Sequence, residues 1–162
     1  MTEFLDSVNL LKLNSINSSI RRKRITSELM SLKNNYECVN LTFNNDLDSV
    51  VLIVIDNNIN QQFNTLSFIL PNEYPFKPPK IIINDQNYIS LLKLSSPEKK
   101  CLQSLTGFKC LCCNTVVCNN IWSPTVTCCN IISEINTNFK LIEKILLKIS
   151  FDKFKLLLRK SF

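Results

Sequence analysis

Four of the chain's eight cysteines, Cys110, Cys112, Cys113 and Cys118, fall within nine residues of "FKCLCCNTVVCNNIWSP" (108–124). Thiols this close together suit three roles. One ionised thiol can attack an acyl carbon. Several can bind a soft metal ion. All can also pack as small apolar groups. The chain contains no histidine. That excludes a Cys–His protease dyad and any zinc site with imidazole ligands. Chemistry that a thiolate performs without an imidazole base stays open, and so does an all-cysteine metal site. The spacing Cys110-x2-Cys113-x4-Cys118 is that of half a structural zinc site, with Cys101, Cys112 or a residue of the following helix as the fourth ligand. Cys38, Cys128 and Cys129 lie in periodic segments and are expected to be buried hydrophobes.

The elements that position this stretch follow from the pattern of apolar residues. The chain has 162 residues, 45% hydrophobic and 20% charged, which fits one globular domain with a core of its own. Residues 1–17 are weakly periodic and read as an arm or a short extra helix ahead of a core domain at 18–162. A helix starts at Ser18 or Ser19 and ends at Asn34-Asn35. Ile25, Leu29 and Leu32 give it one apolar face, with Arg21, Arg22 and Lys23 off that face. Four strands are predicted, at 37–43, 49–55, 64–70 and 80–84. The second and fourth are so apolar that both of their faces are expected to be covered. Short links between sequential strands imply an antiparallel meander. "PNEYPFKPPK" (71–80) is too rich in proline for a helix or strand. Residues 86–100 read as a short helix and a polar loop, and the cysteine stretch shows no period. A helix follows at 127–149, and "FDKFKLLLRK" closes the chain as a separate basic amphipathic helix. The fold class is α+β, a four-stranded meander sheet layered with helices.

The net charge is +6, concentrated in "RRKR" (Arg21–Arg24) and in the last twenty residues. No nucleic-acid-binding motif accompanies it, so a solvated basic face is expected and a nucleic-acid-binding module is the outlying reading. No apolar run reaches the roughly 18 residues that span a bilayer. No membrane partner is expected. The N-terminal residues do not read as a signal peptide, which implies a cytoplasmic or nuclear protein with free thiols.

Three motifs, in this order, resemble the ubiquitin-conjugating enzyme family. "RRKRITSELMSLKN" is similar to the family's first helix. "FNTLSFILPNEYPFKPPKI" is similar to its third strand, proline turn and fourth strand. "IWSPTVTCCNIISEI" is similar to its Trp-Ser-Pro segment and following helix. Together they cover roughly residues 18–145. The family's His-Pro-Asn triplet ahead of the nucleophile is missing here. The interval between Pro79 and the cysteines is also longer than in compact members.

The resemblance implies an enzyme that takes ubiquitin, or a ubiquitin-like modifier, as a cysteine thioester and passes it to a lysine or a ligase. It needs no cofactor, and zinc on Cys110, Cys113 and Cys118 is the alternative for the cluster. Cys110 is the first choice of nucleophile, because Gly107-Phe108-Lys109-Cys110-Leu111 fits the family string. Gly107 then supplies a turn and Lys109 a positive charge. Cys113 is the second choice, by its spacing to Trp122. Asn114 is the candidate oxyanion donor, with Asn119 and Asn120 behind it. Arg21, Arg22, Lys23 and Arg24 are implied to dock the ubiquitin-activating enzyme, and Phe76, Ser123 and Pro124 a ubiquitin ligase. Trp122 is expected to be mainly packing. The rival reading is a catalytically silent variant that binds ubiquitin or a ligase.

Overall fold

The computed structural model describes residues 19–36, 38–44, 49–55 and 65–160. The expected arm at 1–17 and the cap candidate Ser18 lie outside them. Helix α1 (Ser19–Asn35) leads into strands β1 (Cys38–Asn44), β2 (Ser49–Ile55), β3 (Leu66–Leu70) and β4 (Lys80–Ile83). The strands pair antiparallel in sequence order, as the meander requires.

A fifth strand, β5 (Gln86–Asn87), pairs back onto β4 and raises the count from the expected four to five. It follows a two-residue turn in which Asn84 (φ 43°) and Asp85 (φ 64°) both adopt left-handed backbone. Asn and Asp tolerate that region, and such a turn matches the twist of the strands it joins. The Asn-Asp pair after an isoleucine run was the available signal.

Beyond β5 the expected short helix is present as α2 (Tyr88–Leu91), but the expected polar loop is helix α3 (Ser96–Thr106). Its start is set by Ser95, whose N–H donates to Glu98 Oε2 (2.6 Å), with Pro97 in the first turn. Its end is Gly107, left-handed at φ 79°, whose N–H closes onto the Gln103 carbonyl. The final helices are one element, α4 (Cys128–Lys160). No Gly or Pro interrupts the segment, so nothing divides it. Thr127 caps it: the Thr127 hydroxyl accepts the Asn130 N–H, and the Asn130 side-chain oxygen accepts the Thr127 N–H.

One face of the sheet meets the helices. Val50, Leu52, Val54, Phe68, Leu70, Ile81 and Ile83 alternate onto it and pack with Ile25 and Leu32 of α1 and with Ile131, Ile132 and Ile135 of α4. The other face is not fully covered: Val51, Ile53 and Ile82 are only half-buried. Cys128 is core, as expected, and Cys129 is half-buried against Ser31. Cys38 is exposed instead of buried, because it opens the edge strand opposite exposed Ile55.

The buried stripe of α1 also departs from the expected one. Arg21 and Glu28 are buried on it with Ile25 and Leu32, at spacings of four, three and four residues. Glu28 is a hub: one carboxylate oxygen accepts Arg24 Nε (2.7 Å) and the Tyr74 hydroxyl (2.9 Å), and the other accepts the Cys128 N–H (2.9 Å). It ties α1, the proline turn and the start of α4 together.

Candidate active site

The cysteine stretch lies on a chain of turns between Gly107 and Thr127, outside any helix or strand. Its backbone is self-supported by Asn114 N–H to the Leu111 carbonyl, Cys118 N–H to the Thr115 carbonyl and Trp122 N–H to the Cys118 carbonyl. Three side chains, Leu111, Thr115 and Val117, plug it into the core. The anchor beneath them is Glu134 of α4. Its carboxylate accepts the Thr115 hydroxyl, the Val116 N–H (2.7 Å) and the Tyr88 hydroxyl (3.2 Å). Burial, first of all, pushes the Tyr88 and Tyr74 hydroxyls above the ordinary tyrosine range. Both therefore stay neutral donors to their carboxylates, Glu134 and Glu28.

With alternate residues pinned inward, the sulfurs of Cys110, Cys112 and Cys113 converge at the surface, all within 4.8 Å of one another. Cys110 and Cys112 are half-buried and Cys113 is exposed. Burial opposes ionisation of the Cys110 thiol, yet its pKa is lowered overall. The thiols and N–H groups of Cys112 and Cys113 surround its sulfur and favour the thiolate. Those groups outrank the Lys109 charge, which the sequence had nominated. The same contacts with Cys110, followed by burial, push Cys112 up to about 12. Cys113 is also raised, chiefly by its contact with Cys110. Within the cluster, Cys110 is the thiol whose ionisation its neighbours favour. Buried Cys128 is raised well above the ordinary thiol range and stays protonated.

Asn114 follows the cluster directly and is exposed. Its side-chain amide donates to the Cys110 carbonyl (2.6 Å). Asn119 and Asn120 are exposed further along the loop. Among the described residues the converging set is Cys110, Cys112 and Cys113, so Cys112 takes the place that the spacing had given to Cys118. Three thiolates supply three of the four ligands that a zinc ion takes, so the donor set is compatible with zinc.

The Trp-Ser-Pro segment and the proline turn meet. Trp122 Nε1 donates to the Pro75 carbonyl (2.8 Å), and the Trp122 and Tyr74 ring centroids lie 6.2 Å apart. Trp122 packs against the core, as expected. Phe76 stands out from the same turn, 66% exposed. Pro124 is exposed beside half-buried Ser123.

The basic run of α1 divides in two. Arg21 is buried, and Arg24 pairs with Glu28 and donates to the Val126 carbonyl. Neither is an exposed rim charge. Arg22 and Lys23 instead line an open groove of about 410 Å³ with Thr26, Ser27 and Met30. Glu28 and Glu134, which hold the whole arrangement, carried no signal of that role in the sequence. No helix of the described residues is long and apolar enough to cross a membrane. The chain matches no known family model, no curated protein and no solved structure.

Proposed function

We propose that this chain carries ubiquitin, or a ubiquitin-like modifier, as a thioester on Cys110 and passes it to an amine or to another cysteine. The observation that carries the reading is the pairing of an accessible thiol whose pKa is lowered by its neighbours with an amide, Asn114, fixed against the same residue.

The chemistry asks little more. The Cys110 thiolate attacks the thioester carbonyl at the modifier's C-terminus. A new C–S bond forms, the old C–S bond breaks, and the activating enzyme's cysteine leaves as a thiolate. No oxidant and no base is consumed. The Asn114 amide has a second N–H beyond the one on the Cys110 carbonyl. It is the donor for the oxyanion, a role that contributes about 3 kcal/mol in comparable sites. Arg22 and Lys23 form the cationic face that meets the activating enzyme, where charge speeds encounter. Phe76 and Pro124 form the edge that a ligase grips, with Phe76 the aromatic anchor.

The test is a charging reaction with ubiquitin, activating enzyme and ATP on a non-reducing gel. Wild type gives a band one ubiquitin heavier that thiol removes. Cys110→Ser gives a thiol-resistant ester or no band, and Cys113→Ser slows the reaction at most. Loss of the band on Cys113→Ser alone transfers the role to Cys113. A wild type that never charges leaves the silent, ubiquitin- or ligase-binding variant, which the missing His-Pro-Asn triplet favours.

A further inference from the structure

The second half of α4 has no role in the site described above. Ile145 is its last fully buried residue, and from Ser150 to Leu158 every residue is exposed. At 100° per residue, Leu146, Leu157, Phe154, Leu147, Leu158 and Phe151 share one arc of about 140°, interrupted only by Ser150. All six are exposed, Leu147 and Leu157 by 66% and 65%. Lys148, Asp152 and Lys155 lie outside that arc, together with exposed Leu156 and half-buried Ile149. Residues 144–160 hold six basic residues and one acid, and so carry five of the chain's six net positive charges.

We propose that this half-helix is an interfacial anchor that lies in the surface of an anionic bilayer with residues 146–158 in contact with lipid. Charge and shape select this occupant. A helix with a Phe- and Leu-rich arc flanked by Lys, too short and too charged to span, sits at the boundary of headgroups and acyl chains. Anionic headgroups neutralise the lysines while the acyl region takes up the apolar arc. Lys155 already lies along that boundary, its Nζ 4.7 Å from the Phe151 ring centroid, with its stem free to reach outward. A second copy covers the apolar arc less well, because mating two such faces brings two strongly cationic segments together. The absence of a spanning run led the sequence reading to exclude a membrane partner. Surface binding needs no such run.

The experiment is sedimentation of the full chain with phosphatidylcholine vesicles, with and without phosphatidylserine. The chain sediments with the anionic vesicles, binds neutral ones at least about ten-fold more weakly, and is released by salt. Phe151→Asp with Phe154→Asp removes that binding and leaves the urea midpoint and helical circular dichroism in place, because both side chains are exposed. No sedimentation with anionic vesicles overturns the proposal. So does equal binding to neutral vesicles, or binding that survives the double substitution. A dimer by light scattering that the double substitution dissociates, with no vesicle binding, overturns it in favour of a second copy.

Discussion

Glu134→Ala is expected to loosen the cysteine loop before it harms the rest of the fold. The Glu134 carboxylate accepts four hydrogen bonds, from the Thr115 hydroxyl, the Val116 N–H, the Tyr88 hydroxyl and, at 3.4 Å, the Asn138 side-chain amide. Hydrogen bonds to a charged group contribute about 1.5–3 kcal/mol each. Glu134 is only half-buried and the four bonds share one carboxylate, so they do not add. Thr115, however, is buried at 1% exposure, and its hydroxyl keeps only the Tyr88 hydroxyl as an alternative side-chain partner. The expected loss is about 3 kcal/mol. With a urea m-value of about 2 kcal/mol/M for a chain of this size, the midpoint falls by about 1.5 M. Glu134→Gln keeps one acceptor oxygen and turns an amide NH2 toward a donor, so it loses about half as much. The same variants should erase the preference of alkylating reagents for Cys110, since the loop no longer holds the three sulfurs together. A stability change below about 0.5 kcal/mol for Glu134→Ala, or an unaltered Cys110 preference, refutes the anchor argument.

At neutral pH iodoacetamide should modify Cys110 at least about ten-fold faster than Cys112, because the lowered pKa enlarges the thiolate fraction of one and the raised pKa, about 12, suppresses the other. Peptide mapping by mass spectrometry reads the order, and prior reaction at Cys113 contradicts it. Arg21→Glu should cost about 3 kcal/mol or more in urea, since it reverses a buried charge, whereas half-buried Arg22→Glu should stay within about 0.5 kcal/mol and only slow charging. Phe76→Ala should leave the urea midpoint within about 0.5 kcal/mol and weaken ligase binding at least about ten-fold in a titration, and equal ligase affinity removes Phe76 from that surface.

What the sequence made legible was whatever a local period could carry. The meander is written in β-branched runs whose register follows from which face is apolar, and α1 and the start of α4 are written in isoleucine and leucine spacing. Two misreadings came from local signals that were present but short: Ser95 and Glu98 at the start of α3, and Asn84-Asp85 at the turn into β5. The undivided α4 was legible in a negative, the lack of any Gly or Pro across 128–160. The illegible part is of another kind. Glu28 and Glu134 look like ordinary helical surface carboxylates, and nothing within a turn of either shows otherwise. Glu28 finds its partners on Tyr74 and Cys128, and Glu134 on Tyr88, Thr115 and Val116. A carboxylate taken out of water, fully at Glu28 and partly at Glu134, is tolerable only when such donors converge on it. Convergence of donors 18 to 100 residues away is a property of the packed chain and leaves no period behind. The cysteines show the same division. Their spacing announces that a cluster exists. How the loop that carries them is held depends on Glu134 binding Thr115 and Val116, and so on a helix that begins ten residues after the last cysteine of the loop.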